Sequence, residues 1–165
     1  MAIENLNELE VLQIAKKIEE TGYKFYKEAA AQFEDEEIKN IFEYLALEEQ
    51  EHIETFQRIY ERVLEKTQEQ KPLIYEASVA AYLKALSETA VFNVRELTKQ
   101  RVGYVYTAKE ALIMGLQAEK DSILFYEEIL KHTEVEILQK TLKRLIREEI
   151  KHLHKFRNLI NALEG

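Results

Sequence analysis

Cysteine and tryptophan are absent from this chain, proline occurs once and glycine four times. Without cysteine there is no disulfide, no thiolate-bound zinc, no iron–sulfur cluster and no thiol nucleophile. Aspartate is scarce as well: of 31 acidic residues, only Asp35 and Asp121 are not glutamate. An excess of positive charge is missing. The net charge of −8 leaves no basic face for phosphates, so nucleic acid is not expected as a partner. Long hydrophobic runs are missing too. The longest, Ala111 to Leu116, falls far short of the roughly 20 residues of a membrane span. The opening MAIENLNELE lacks the basic-then-apolar pattern of a secretory leader, and the expectation is a cytoplasmic protein with no membrane partner.

What remains is a composition suited to helices. The chain has 165 residues, 46 % apolar and 33 % charged, enough for one domain over residues 1–165 with a single sizeable core. Glutamate favours helix and the scarce residues, glycine, proline and aspartate, disfavour it. An all-α protein of long helices is expected. Asn5 and Glu8 have capping-box spacing, which predicts a first helix from near Asn5 to about Phe33. A second is predicted from near Asp35 to before Pro72, the only proline. A shorter amphipathic segment, about Tyr75 to Leu97, presents Val79, Tyr82, Leu83, Leu86 and Ala90 on one side. Arg101 to Tyr106 reads as a connection. Thr107 with Glu110, and Thr133 with Glu136, are two more capping boxes. They open helices predicted to reach about Lys131 and Leu163. Four helices of about 25–30 residues have the length of a four-helix bundle.

An internal repeat organises the chain. Shifted by 100 residues, Val11–Glu65 aligns with Ala111–Gly165 without a gap, and 12 of 55 positions are identical. Among them are Glu19/Glu119, Phe25/Phe125, Tyr26/Tyr126, Glu49/Glu149, His52/His152 and Phe56/Phe156. Two copies of one helical hairpin would pack about a pseudo-two-fold axis. Residues 67–106 then form a long connection between hairpins, long enough to allow a domain-swapped or helix-mediated homodimer.

The apolar stripes of the four long helices carry the chemistry. In the second helix a 4-3-4-3 spacing selects Ile38, Phe42, Leu45, Glu49, His52, Phe56, Ile59 and Val63. In the last it selects Leu138, Leu142, Leu145, Glu149, His152, Phe156, Leu159 and Leu163. Each seam is interrupted at its centre by a glutamate and a histidine three residues on. Glu48 and Glu148 also lie within reach of the histidines, but fall off the stripe. The first helix has Leu12, Ala15, Glu19, Gly22, Tyr26, Ala29 and Phe33; the third long helix has Leu112, Gly115, Glu119, Ser122, Tyr126, Ile129 and Thr133. Each has one central glutamate with small neighbours.

Four carboxylates converging in an apolar core cannot all stay ionised unpartnered, since burying each ion costs several kcal/mol. No lysine or arginine shares the stripes. Two divalent cations would balance the charge, and carboxylate oxygen with imidazole nitrogen suits iron or manganese. Residues i and i+3 share a helix face, so Glu-x-x-His aims two ligands at one metal. One Glu from each of two helices and Glu-x-x-His from each of the others is the arrangement of ferritin-like di-iron and di-manganese carboxylate proteins. The candidate ligands are Glu19, Glu49, His52, Glu119, Glu149 and His152. The alternative is a duplicated bundle whose buried polar residues only fix register. Tyr26 and Tyr126, two turns beyond their glutamates, are candidates to hydrogen-bond ligand carboxylates, with Tyr23 a weaker one. Plain core aromatics would fit the same positions. His132, His154 and Glu88 read as surface residues.

These residues, Glu19-x6-Tyr26, Glu49-Gln50-Glu51-His52, Glu119-x6-Tyr126 and Glu149-Ile150-Lys151-His152, resemble the ferritin-like di-iron domain of the rubrerythrins. The resemblance covers nearly the whole chain outside residues 67–106. It implies that Glu19 and His52 serve mainly one metal, Glu119 and His152 the other, and that Glu49 and Glu149 bridge. Ser122 stands where rubrerythrins carry a further ligand glutamate, so the implied centre is symmetric, as in bacterioferritin-type sites. No cysteine-bound rubredoxin domain is present, so the resemblance implies a separate rubredoxin-like electron donor. Gly165 follows the fourth long helix directly, and a bacterioferritin-like cage is not expected. The implied function is a di-iron oxidoreductase reducing hydrogen peroxide or O2 at two iron ions, with manganese or zinc compatible with the same ligands. Two other readings stay open: iron handling without turnover, and a helical scaffold with a structural metal pair.

Overall fold

The computed structural model describes residues 5–91 and 106–165. Within them lie α1 (Glu8–Gln32), α2 (Glu36–Lys66), α3 (Ala77–Glu88), α4 (Ala108–His132) and α5 (Glu136–Glu164). The protein is an all-α ferritin-like bundle. α1 packs along α2, and α4 along α5, as two hairpins that meet where α1 faces α4. The sequence repeat is a structural one: α1 and α4 begin and end 100 residues apart, and both hairpin turns span three residues. No helix among the described residues is long and apolar enough to cross a membrane.

The predicted stripes are the buried faces. All eight α2 positions from Ile38 to Val63 are buried. On α5 the stripe is buried from Leu138 to Phe156, half-buried at Leu159, and 48 % exposed at Leu163, where the helix runs to its end. Two apolar clusters result. One gathers Leu12, Phe56, Tyr126 and Leu145; the other gathers Tyr26, Phe42, Leu112 and Phe156. On each long helix the central glutamate lies between a residue of the first cluster and one of the second. The polar residues therefore occupy the waist between two hydrophobic cores.

The capping signals need two corrections. α1 starts at Glu8, with Asn7 and Glu10 as its reciprocal capping box, not Asn5 and Glu8. The segment before it is held by long-range pairing: Glu8 N–H donates to the Leu73 carbonyl and Tyr75 N–H to that of Leu6. Thr133 does not cap α5. The N-cap is Val135, without a side-chain cap; the Thr133 hydroxyl donates to Glu8 across the bundle and accepts the N–H of Val135. Thr107 caps α4, its hydroxyl accepting the Glu110 N–H, and Asp35 caps α2, its carboxylate accepting the Ile38 N–H. α3 ends at Glu88; the part of the predicted segment beyond Val91, up to Leu97, lies outside the described residues, as does the proposed connection at 101–106 except for Tyr106. α3 buries Val79, Ala80 and Leu83, whereas Tyr82 is 43 % exposed.

Glu8 is a buried carboxylate away from the waist, 1 % exposed. One oxygen accepts the Thr133 hydroxyl, and the other has no hydrogen-bond partner among the described residues. Burial pushes its carboxyl above the usual range, against the hydroxyls of Thr133 and Tyr75, which favour the charged form. A carboxyl raised by folding contributes its full stability below the unfolded pKa and loses it as pH rises. Glu8→Gln is therefore expected to melt with the parent near pH 4 and above it at pH 8. An equal shift at both pH values would exclude burial of the charge as the cause.

Candidate metal centre

The central residues come from all four long helices. α1 supplies Glu19, α2 supplies Glu49 and His52, α4 supplies Glu119, and α5 supplies Glu149 and His152. All six are 5 % exposed or less. Glu19, Glu49, His52 and Glu149 present donor atoms within 4.8 Å of one another, and so do Glu119, Glu149 and His152. Glu149 belongs to both groups. One of its oxygens lies 3.4 Å from His52 Nδ1 and the other 3.3 Å from His152 Nδ1. Glu19 Oε2 lies 3.3 Å from His52 Nδ1, and Glu119 Oε1 lies 3.7 Å from His152 Nδ1. Both histidines thus turn the same ring nitrogen toward the shared carboxylate.

The electrostatics show what the metal-free cluster costs. Burial raises Glu19 to about 7, although His52 opposes the shift. Burial raises Glu49 to about 8, with the Glu149 charge adding to it. Burial works against a charge on His52, but Glu19, the hydrogen bonds to Glu148 and Glu19, and the Glu149 charge outweigh it and push the imidazole up to about 12. Among the described residues, Glu19 Oε1 and Glu149 Oε1 are buried without a hydrogen-bond partner. Unsatisfied carboxylate oxygens in an apolar interior are rare and call for a ligand. Gly22 makes the room: a Cβ there would stand 3.2 Å from Glu49 Oε2. Oxygen and imidazole donors, orphaned oxygens and this clearance all fit a pair of divalent ions.

The surrounding residues divide. The Tyr26 hydroxyl donates to Glu119 Oε1 at 2.9 Å, linking α1 to α4. Its repeat mate Tyr126 is fully buried, and its hydroxyl has no hydrogen-bond partner among the described residues. Tyr23 is half-buried and has the Lys27 ammonium over its ring instead of a bond to the carboxylates. His132 and His154 are exposed, as is Glu88. Sequence reasoning set aside Glu48 and Glu148. In the structure Glu148 Oε2 lies 3.0 Å from His52 Nε2, and Glu48 Oε2 lies 4.0 Å from His152 Nε2. Each faces the histidine of the other hairpin, not the one on its own helix, and only Glu148 is within hydrogen-bonding distance. Their recurrence in both repeats was the available signal.

A cavity of about 20 Å3 adjoins the centre, lined by Gly22, Tyr26, Glu49, Glu119 and Ser122 with Val91 at its margin. A larger cleft of about 800 Å3, between Arg62, Pro72 and Lys140, includes none of the six central residues in its lining.

Helices in two repeated hairpins, closing on four glutamates and two histidines, define a ferritin-like protein with a candidate dimetal site. The rubrerythrin family model matches residues 10–160, and the chain belongs to the rubrerythrin family. No curated protein and no solved structure matches the chain.

Proposed function

We propose that this protein is a di-iron oxidoreductase that reduces hydrogen peroxide, or O2, with electrons from a separate rubredoxin-like donor. Glu19, Glu49, His52, Glu119, Glu149 and His152 would hold the metals. Bound as a ferrous pair, iron would supply two electrons, one from each ion, which with two protons convert one peroxide to two waters. The observation that carries the reading is the cavity beside Glu49 and Glu119: its roughly 20 Å3 is room for about one water. A molecule as small as peroxide or O2 fits there.

The protein's own residues do the rest. Gly22 and Ser122 keep the space at the carboxylates clear. Ile18, Ala90, Val91 and Ala118 give it an apolar wall, which restricts bulk water. Tyr26 holds Glu119 in place through its hydroxyl, and burial with the nearby Glu149 and Glu19 charges keeps that hydroxyl protonated. The Glu149 carboxylate, set between both histidines, ties the two halves of the site together.

The test is anaerobic loading with Fe(II), followed by one equivalent of peroxide. Ferrous iron is expected to become ferric within seconds, and many equivalents should be consumed once rubredoxin and its reductase are added. No oxidation overturns the enzyme reading; oxidation without turnover favours iron handling. Glu49→Ala with His52→Ala separates a structural metal pair, which would lose mainly thermal stability.

A further inference from the structure

The repeat implies a symmetric centre, yet its two halves differ. The half around His52 gathers four donor residues, Glu19, Glu49, His52 and Glu149, whereas the half around His152 gathers three. The outer nitrogens differ in the same direction. His52 Nε2 lies 3.0 Å from Glu148, a hydrogen bond, while His152 Nε2 is 4.0 Å from Glu48, beyond hydrogen-bonding reach. The two carboxylates are identical in sequence position within the repeat. On the His152 side the Tyr44 ring also stands at right angles to the imidazole, with centroids 6.0 Å apart.

We infer that the two metal positions are unequal, that the one served by Glu19 and His52 is the tighter, and that Glu148 is the positioning residue responsible. This rests on the reading of the six residues as metal ligands but not on peroxide as substrate. A histidine that binds metal through Nδ1 must keep its proton on Nε2. A carboxylate at Nε2 selects that tautomer, fixes the ring plane and strengthens Nδ1 as a donor. Glu148 does this for His52 from the opposite hairpin, so the bond also couples the tighter position to closure of the bundle. Glu148 is partly exposed, its side chain at 30 %, so replacing it leaves the core packing intact.

The experiment is anaerobic addition of Co(II) to the metal-free protein, followed by visible absorption and calorimetry. The parent is expected to fill in two steps at least about tenfold apart. Glu148→Ala should weaken the first step by about 10–100-fold, the usual cost of removing a ligand's outer partner, and leave the second in place. Glu148→Gln, which keeps an acceptor for Nε2–H, should recover part of the loss. Glu48→Ala should move neither step by as much. Two equal steps in the parent, an unchanged first step in Glu148→Ala, or a loss confined to the second step each overturn the inference while leaving the dimetal centre standing. Failure to bind Co(II) would overturn both. Circular dichroism of each variant separates misfolding from lost affinity, and the Glu148→Gln recovery is the readout that a purely structural role would not produce.

Discussion

Metal-free Glu49→Gln is expected to melt above the metal-free parent at pH 9 and to lose the stabilisation that metal loading gives the parent. The two effects have opposite signs and one origin. Glu49 is buried beside Glu149, and burial followed by that like charge raises it to about 8. Glu19 is raised to about 7 by burial, and His52 is pushed up to about 12 by its carboxylate partners, against the effect of burial. In all three the folded state holds protons more tightly than the unfolded chain. Stability is then greatest below the unfolded pKa values and falls as pH rises, first through the carboxyls and last through His52. Glutamine has nearly the same volume and no charge. Removing the charge removes the cost of burying it beside Glu149, which is of the order of several kcal/mol for an ion in a protein interior, and each kcal/mol is about 2–4 °C in a chain of this size. Metal reverses the balance, because it binds the deprotonated ligands and stabilises only the folded chain. Thermal melts at pH 5, 7 and 9, with and without metal, check both signs. A metal-free parent whose stability rises from pH 5 to 9 would contradict the account.

Phe156→Ala should give the largest loss of stability in either state. The ring is fully buried, with the Tyr26 and Phe42 rings each 6.2 Å away between centroids. Truncating a buried phenylalanine costs about 3–5 kcal/mol, or roughly 6–20 °C in melting temperature at this chain length. The ring also fills the space above Gly115, where a Cβ would come within 2.4 Å of its tip. Gly115→Ala is therefore expected to destabilise the parent, despite alanine's better helix propensity, and to stabilise the Phe156→Ala background. A double-mutant cycle by thermal melts measures that change of sign. Additive effects would show that Phe156 does not rest on Gly115.

These two residues also show how much was legible. Phe156 and Glu49 lie on apolar stripes spaced by fours and threes, and helical periodicity is a local property, readable without the partner helix. The ungapped repeat then placed the waist of one hairpin against that of the other. What failed was decided at long range. Asn5 and Asn7 both precede a glutamate at capping distance, and pairing of Leu6 and Glu8 with Tyr75 and Leu73 selects Asn7. Thr133 has the local signature of a cap, but its hydroxyl serves Glu8 from α1. Glu48 and Glu148 look solvated because they leave the stripe. Their reach across to the opposite histidines follows from the rotation of one hairpin against the other, which no single helix encodes. The same holds for Tyr26, which is bonded to Glu119 while the Tyr126 hydroxyl has no hydrogen-bond partner among the described residues.

Elemental analysis of the purified chain after anaerobic loading with Fe(II) and removal of excess metal tests the central claim most directly. Two iron atoms per chain are expected in the parent, and fewer than two in Glu49→Ala with His52→Ala. Parent protein that retains no iron, or that retains the same amount as the double variant, would contradict it.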